Sequence, residues 1–134
     1  MALTGERDTA RRDTESLQPE VAAGARIFKG ALVALQGGYA VPGATATNLI
    51  PAGRAEESVD NSGGSAGALR VKVRRGQFLF KNFATDPVLR AHVGADCFIV
   101  DDETVAATAG GNTRSRAGKV LGLEDANGVW VEIR

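Results

Sequence analysis

The sequence predicts an all-β protein: a small antiparallel β-barrel or sandwich with one short helix and an extended N-terminal arm. Three observations carry that expectation. Leu69, Val71 and Val73 alternate strictly with Arg70, Lys72 and Arg74, the period of a strand with one dry and one wet face. Glycine supplies 17 of 134 residues, well above the usual ~7%, and much of it falls in turn-like pairs. Val129, Val131 and Ile133 alternate again after Asn127-Gly128, a favoured pair for a tight hairpin turn.

The strongest patterning lies between Arg54 and Asn82, where Phe78 and Phe80 continue the apolar face beyond Arg75-Gly76. The parity of the apolar positions changes across that dipeptide. A hairpin setting Val73 against Phe78 produces the change, and so does one long strand with a bulge at Gly76. In both readings Val71, Val73, Phe78 and Phe80 share one face, over which the remaining strands close.

The other elements follow in order. Residues 1–20 are polar and densely charged, with only Met1, Leu3 and Leu17 large and apolar. They read as a flexible arm, either a disordered tail or a segment that orders on a partner. Residues 21–134 form the body. GALVALQGGYAV reads as a hairpin turning at Gly37-Gly38 and ending at Pro42. Residues 43–52 read as loop, Arg54–Val59 as an edge strand, and DNSGGSAG as a flexible loop. Thr85-Asp86-Pro87 is a helix-start signal, followed by one or two turns whose Val88, Ala91 and Val93 cap a barrel end. Cys97–Val100 reads as a buried strand, Asp101–Glu103 as a turn, and Thr104–Ala106 as the return. Residues 109–116 form a polar loop, and Lys119–Leu123 pairs with Val129–Ile133. The expected core is Val71, Val73, Phe78, Phe80, Phe98, Val129, Val131 and Ile133. Trp130, Glu132 and Arg134 face the other way.

Length and charge bound the function. One domain is the expectation for this length. Lys plus Arg and Asp plus Glu number 16 each, so no net charge draws the chain to nucleic acid or anionic lipid. A single cysteine, Cys97, leaves no intramolecular disulfide and no cysteine metal cage. No apolar run approaches the ~20 residues that span a bilayer. The polar first ten residues lack a signal-peptide centre, which points to synthesis in a reducing cytosol.

Catalytic patterns are weak. The lone His92 has no identifiable partner, and Cys97 in DCFIV reads as a buried small hydrophobe. Asp101, Asp102 and Glu103 are consecutive, unlike the alternating ligands of a calcium loop, and read as a turn. GGSAG lacks the Gly-Lys-Ser/Thr ending of a phosphate loop. No cofactor, metal site or small-molecule substrate is expected. Arg70, Lys72 and Arg74 share a face, but Phe78 and Phe80 fall opposite them, which argues against a nucleic-acid stacking site. A small nucleic-acid-binding barrel is the alternative reading. Trp130, opposite the apolar stripe of its strand, either covers a second small cluster or enters a subunit contact.

GALVALQGGYAVP, GRAEESVDNSGGSAG, VKVRRGQFLFKN, VGADCFIVDDETV and GKVLGLEDANGVWVEI occur in this order. Together, over roughly residues 24–134, they resemble the capsid decoration, or cement, proteins of tailed bacteriophages. The resemblance implies a non-enzymatic protein with a β-barrel-like body, assembled as a homotrimer on the capsid exterior of the virion and made in the host bacterial cytoplasm. It implies clamping of neighbouring major capsid protein subunits after shell expansion, with the arm lying across the coat surface. On that reading Arg7, Arg11, Arg12 and Leu17 contact coat protein, and Trp130 and Arg74 lie at the subunit interface. The arm departs from the family pattern in being comparatively long and carrying paired charges.

Overall fold

A computed structural model describes residues 2, 4–12, 14–125 and 127–134. Its strands are β1 (Ser16–Leu17), β2 (Arg26–Ile27), β3 (Leu32–Gln36), β4 (Tyr39–Pro42), β5 (Ile50–Ala55), β6 (Val59–Asp60), β7 (Val73–Arg74), β8 (Gly76–Asn82), β9 (Asp96–Ile99), β10 (Thr104–Ala106), β11 (Arg116–Asp125) and β12 (Gly128–Ile133). One turn of 3-10 helix, Arg90–His92, interrupts them. The all-β expectation is borne out. Strands β10-β8-β12-β11-β9 close into a five-stranded barrel, β1-β7-β5-β3-β4 form an open sheet, and β2 pairs with β6. The barrel closes through a parallel β8–β10 pairing, whereas its other ladders are antiparallel.

Arg75-Gly76 proves to be neither a hairpin nor a bulge within one sheet. β7 belongs to the open sheet, where Val73 pairs with Leu17 and Ala55. β8 belongs to the barrel, where Phe78 pairs with Val131 and Phe80 with Val129. The chain changes sheets at Gly76, whose φ of +150° is an unusual backbone angle for any residue with a side chain. The four apolar side chains therefore do not share a face. Phe78 and Phe80 fill the barrel core, while Val71 and Val73 join a second cluster with Val21, Ile27, Val33 and Ala55.

β3 links the two cores. Leu32 and Ala34 pack with the barrel residues, and Val33 packs in the second cluster. Its LVAL run is apolar throughout because both faces are covered. The β3–β4 hairpin turns at Gly37-Gly38, both at positive φ, as a type I′ turn requires.

Several boundaries differ from expectation. Ile50, Pro51 and Ala52, expected to be loop, join Arg54 and Ala55, expected to be strand, in β5 between β3 and β7. The anticipated strand Arg54–Val59 is split: β5 ends at Ala55 and β6 begins at Val59, with a bend over residues 56–57 between them. Of the helical segment only Val88 caps the barrel core; Ala91 and Val93 are exposed. Asp86 does not cap a helix. Its carboxylate accepts from Thr108 Oγ1 at 2.6 Å and from Arg114 Nη1 at 2.8 Å. Phe98 is half-buried, whereas its neighbours Cys97 and Ile99 are fully buried.

DNSGGSAG is organised around a buried side chain. Asn61 is 2% exposed, and its Nδ2 donates to the carbonyls of Ala22 and Ser65, each at 3.0 Å. No helix among the described residues is long and apolar enough to cross a membrane.

Candidate functional site

The stretch expected to be an arm divides in two. Residues 4–12 are exposed throughout, including Arg7, Arg11 and Arg12. Met1, Leu3 and Asp13 lie outside the described residues. Residues 15–20 instead run antiparallel to residues 70–75. Arg75 N–H donates to the Glu15 carbonyl at 2.7 Å, Val71 N–H donates to the Pro19 carbonyl at 3.1 Å, and Glu20 bridges to Arg70. Leu17, grouped at first with the coat-contacting arginines, is half-buried against the second core. The arm thus has a fixed root and an exposed outer part.

That root meets two of the three cations of the Arg70, Lys72 and Arg74 stripe. Arg74 Nη2 donates to Glu15 Oε2 at 2.9 Å, and Arg70 Nη2 donates to Glu20 Oε1 at 3.1 Å. On the neighbouring strand Arg54 Nη2 donates to Glu56 Oε1 at 2.6 Å, which holds the Glu56 carboxyl below the usual range. Solvent reaches all three pairs, so each contributes little to stability. Their larger effect is to pair Arg70 and Arg74, two of the three cations on a face that read as basic in the sequence. The rings of Phe78 and Phe80 are buried in the barrel and offer no face for base stacking.

Trp130 and Arg74, both expected at a subunit contact, lie on different sheets. Trp130 stands on the outer face of the barrel, 37% exposed, with its indole N–H donating to Glu124 Oε2 at 2.8 Å. Across β12 and β8 it pairs directly with Leu79, itself 47% exposed. Beside them a cleft of about 370 Å³ is lined by Leu79, Lys81, Glu103, Glu124 and Asn127. The sequence reading missed Leu79. The available signal was its alternation with Phe78 and Phe80, which puts it outside the barrel in register with Trp130.

The groups considered for catalysis are held in structural contacts. His92 Nδ1 accepts the Leu89 N–H at 2.8 Å, bracing the 3-10 turn. Cys97 is fully buried, and burial pushes its thiol up to about 12, so it is not a thiolate at neutral pH. Asp101 Oδ1 accepts the Glu103 N–H at 2.9 Å in the turn between β9 and β10, and Glu103 pairs with Lys81. Burial, with Asp101 and Glu103 alongside, pushes the Asp102 carboxyl up. Among the described residues no three His, Cys, Asp or Glu side chains cluster as metal ligands would.

No protein-family model matches the chain, and neither a curated protein nor a solved structure matches it.

Proposed function

We propose that this protein is a non-enzymatic capsid decoration protein. It binds the outside of the expanded head of a tailed bacteriophage and stabilises contacts between major capsid protein subunits. The supporting observation is the arm: an outer part exposed over residues 4–12, on a root paired to the edge of the open sheet. An exposed arm gains its contacts only where a partner surface exists, and a fixed root lowers the ordering cost of docking it. The sequence resemblance to decoration proteins names the partner, and the zero net charge suits a shell exterior. On a repeating shell, linked copies gain avidity from individually weak contacts.

Co-sedimentation with expanded shells tests the reading. A variant lacking residues 2–14 keeps the paired segment and is expected to fold normally while losing most shell binding. Replacing Arg7, Arg11 and Arg12 together with serine should weaken binding without changing thermal stability. Undiminished decoration by both variants would refute the role of the arm.

A further inference from the structure

His92 is the only histidine in the chain, and it sits in a short excursion between two fixed points. At one end Val88 is buried and clasped by Asn82, whose Oδ1 accepts the Val88 N–H at 2.7 Å and whose Nδ2 donates to the Val88 carbonyl at 2.9 Å. At the other end Gly94 N–H donates to the Val120 carbonyl and Val120 N–H donates to the Ala95 carbonyl, each at 2.8 Å. Residues 89–93 form the tip between these anchors. Leu89, Arg90, Ala91 and Val93 are exposed and His92 is half-buried, so no core packing holds the tip in shape.

Hydrogen bonds hold it instead. His92 N–H donates to the Leu89 carbonyl at 2.8 Å, and Leu89 N–H donates back to His92 Nδ1 at 2.8 Å. The exchange follows the pattern of a capping box, where Glu or Gln usually supplies the accepting side chain. Histidine supplies it under one condition. Nδ1 accepts only while it carries no proton, so the ring must be neutral with its proton on Nε2. In the charged ring both nitrogens are donors, and the Leu89 N–H loses its acceptor.

We propose that the 89–93 tip is a pH-sensitive catch, closed by neutral His92 and released when His92 is protonated, while its anchors and the barrel stay in place. Histidine ordinarily changes charge between about pH 5 and 8. The surrounding charges do not substitute for the lost bond. Among the described residues His92 forms no ion pair. Arg90 on the turn itself is cationic, as is Lys119 beside the Val120 anchor on β11, the strand packed against the turn. Arg116 of β11 is paired with Asp96 at 2.8 Å, Glu124 of β11 holds the Trp130 indole, and Asp125 Oδ1 accepts the Asn127 N–H. Asp86, ahead of the Val88 anchor, is committed to Thr108 and Arg114. Leu89 and Val93 are 55% and 47% exposed, so the catch sets how two apolar side chains are displayed at this end of the barrel. Water replaces part of the broken bond, and the tip should open about three- to tenfold more often when His92 is charged. The catch is independent of the arm and of the shell.

Amide hydrogen exchange read by NMR on the full chain, corrected for the pH dependence of intrinsic exchange, tests it. Protection of the Leu89 N–H should fall about three- to tenfold from pH 8 to pH 5, while Val120 and Val129 keep theirs. Imidazole nitrogen shifts should place the proton on Nε2 at pH 8. His92→Gln supplies an acceptor that does not titrate and should hold Leu89 protected at both pH values. His92→Ala removes the acceptor and should show the low protection at both. Circular dichroism checks that each variant is folded. A Leu89 N–H that is unprotected at pH 8, or equally protected at pH 5, overturns the proposal. So does a proton on Nδ1 at pH 8, an equal fall in His92→Gln, or parent-like protection in His92→Ala. A fall shared by Val120 and Val129 would mark opening of the whole barrel and overturn a local catch.

Discussion

Replacing Asn61 with alanine should loosen both the loop it organises and the strap that roots the arm. The Asn61 side chain donates to Ala22 and Ser65 at 3.0 Å each, with the Val21 carbonyl at 3.5 Å. Its main chain accepts from Gly24 at 3.1 Å and from Gly64 at 3.0 Å. Asn61→Ala removes the two side-chain bonds, at about 1 kcal/mol each, and strands carbonyls beside a dry site, at about 1–3 kcal/mol more. Some relaxation is expected, so the net loss is about 2–4 kcal/mol. For a domain of this size that lowers Tm by about 10 °C. Thermal and urea unfolding at neutral pH measure the loss, and hydrogen exchange at Gly24 and Gly64 shows where it falls. Asn61→Asp sharpens the test, because it is isosteric yet faces carbonyls with a carboxylate. Its folded-state pKa is raised, so its penalty is full at neutral pH and shrinks as pH falls through that raised value. A stability for Asn61→Ala within about 0.5 kcal/mol of the parent, the range of an ordinary surface substitution, would show that the side chain does not hold the loop.

Other outcomes follow from the same structure. Val73, 1% exposed in the second core, should not tolerate aspartate: Val73→Asp buries an unpaired charge, and a soluble, cooperatively folding variant would contradict the assigned core. The Asp86 carboxyl is held below its ordinary value first by the Thr108 hydroxyl and then by Arg114. Its stabilisation is present above the unfolded-state pKa and is lost as pH falls through the depressed folded value, so the stability gap between the parent and Asp86→Asn should narrow on acidification below about pH 4. A gap that widens there would refute the assignment. Cys97 should resist a thiol reagent in the native protein at pH 8 and react fully in denaturant, and rapid native labelling would show that the barrel opens.

The sequence was most legible where a local pattern met a single surface. Val129, Val131 and Ile133 alternate because β12 has one face in the barrel core, and Gly37-Gly38 announced its hairpin through backbone chemistry alone, whereas Gly128, expected in the turn with Asn127, is already the first residue of β12 and pairs with Asp125. Phe98 and Ala91 misled because hydrophobicity does not say which side of a short element is covered. The candidate site was legible only in part. Exposed Arg7, Arg11 and Arg12 follow from composition, whereas the partners of Arg70 and Arg74 lie 50 and 59 residues away in sequence and are set by the pairing of residues 15–20 with 70–75.

The chain's own residues determined that the protein is all-β, rich in turns and neutral overall, and that it begins with a charged, exposed segment. These properties arise from side-chain period and backbone preference over a few neighbours. Tertiary structure alone decided that the central stretch changes sheets at Gly76, that two cores share β3, and that Asn61 is an internal staple. It also decided that Trp130 has Leu79 beside it. Each depends on which distant strand lies alongside, and strand partnership is a matter of long-range pairing that no local period encodes.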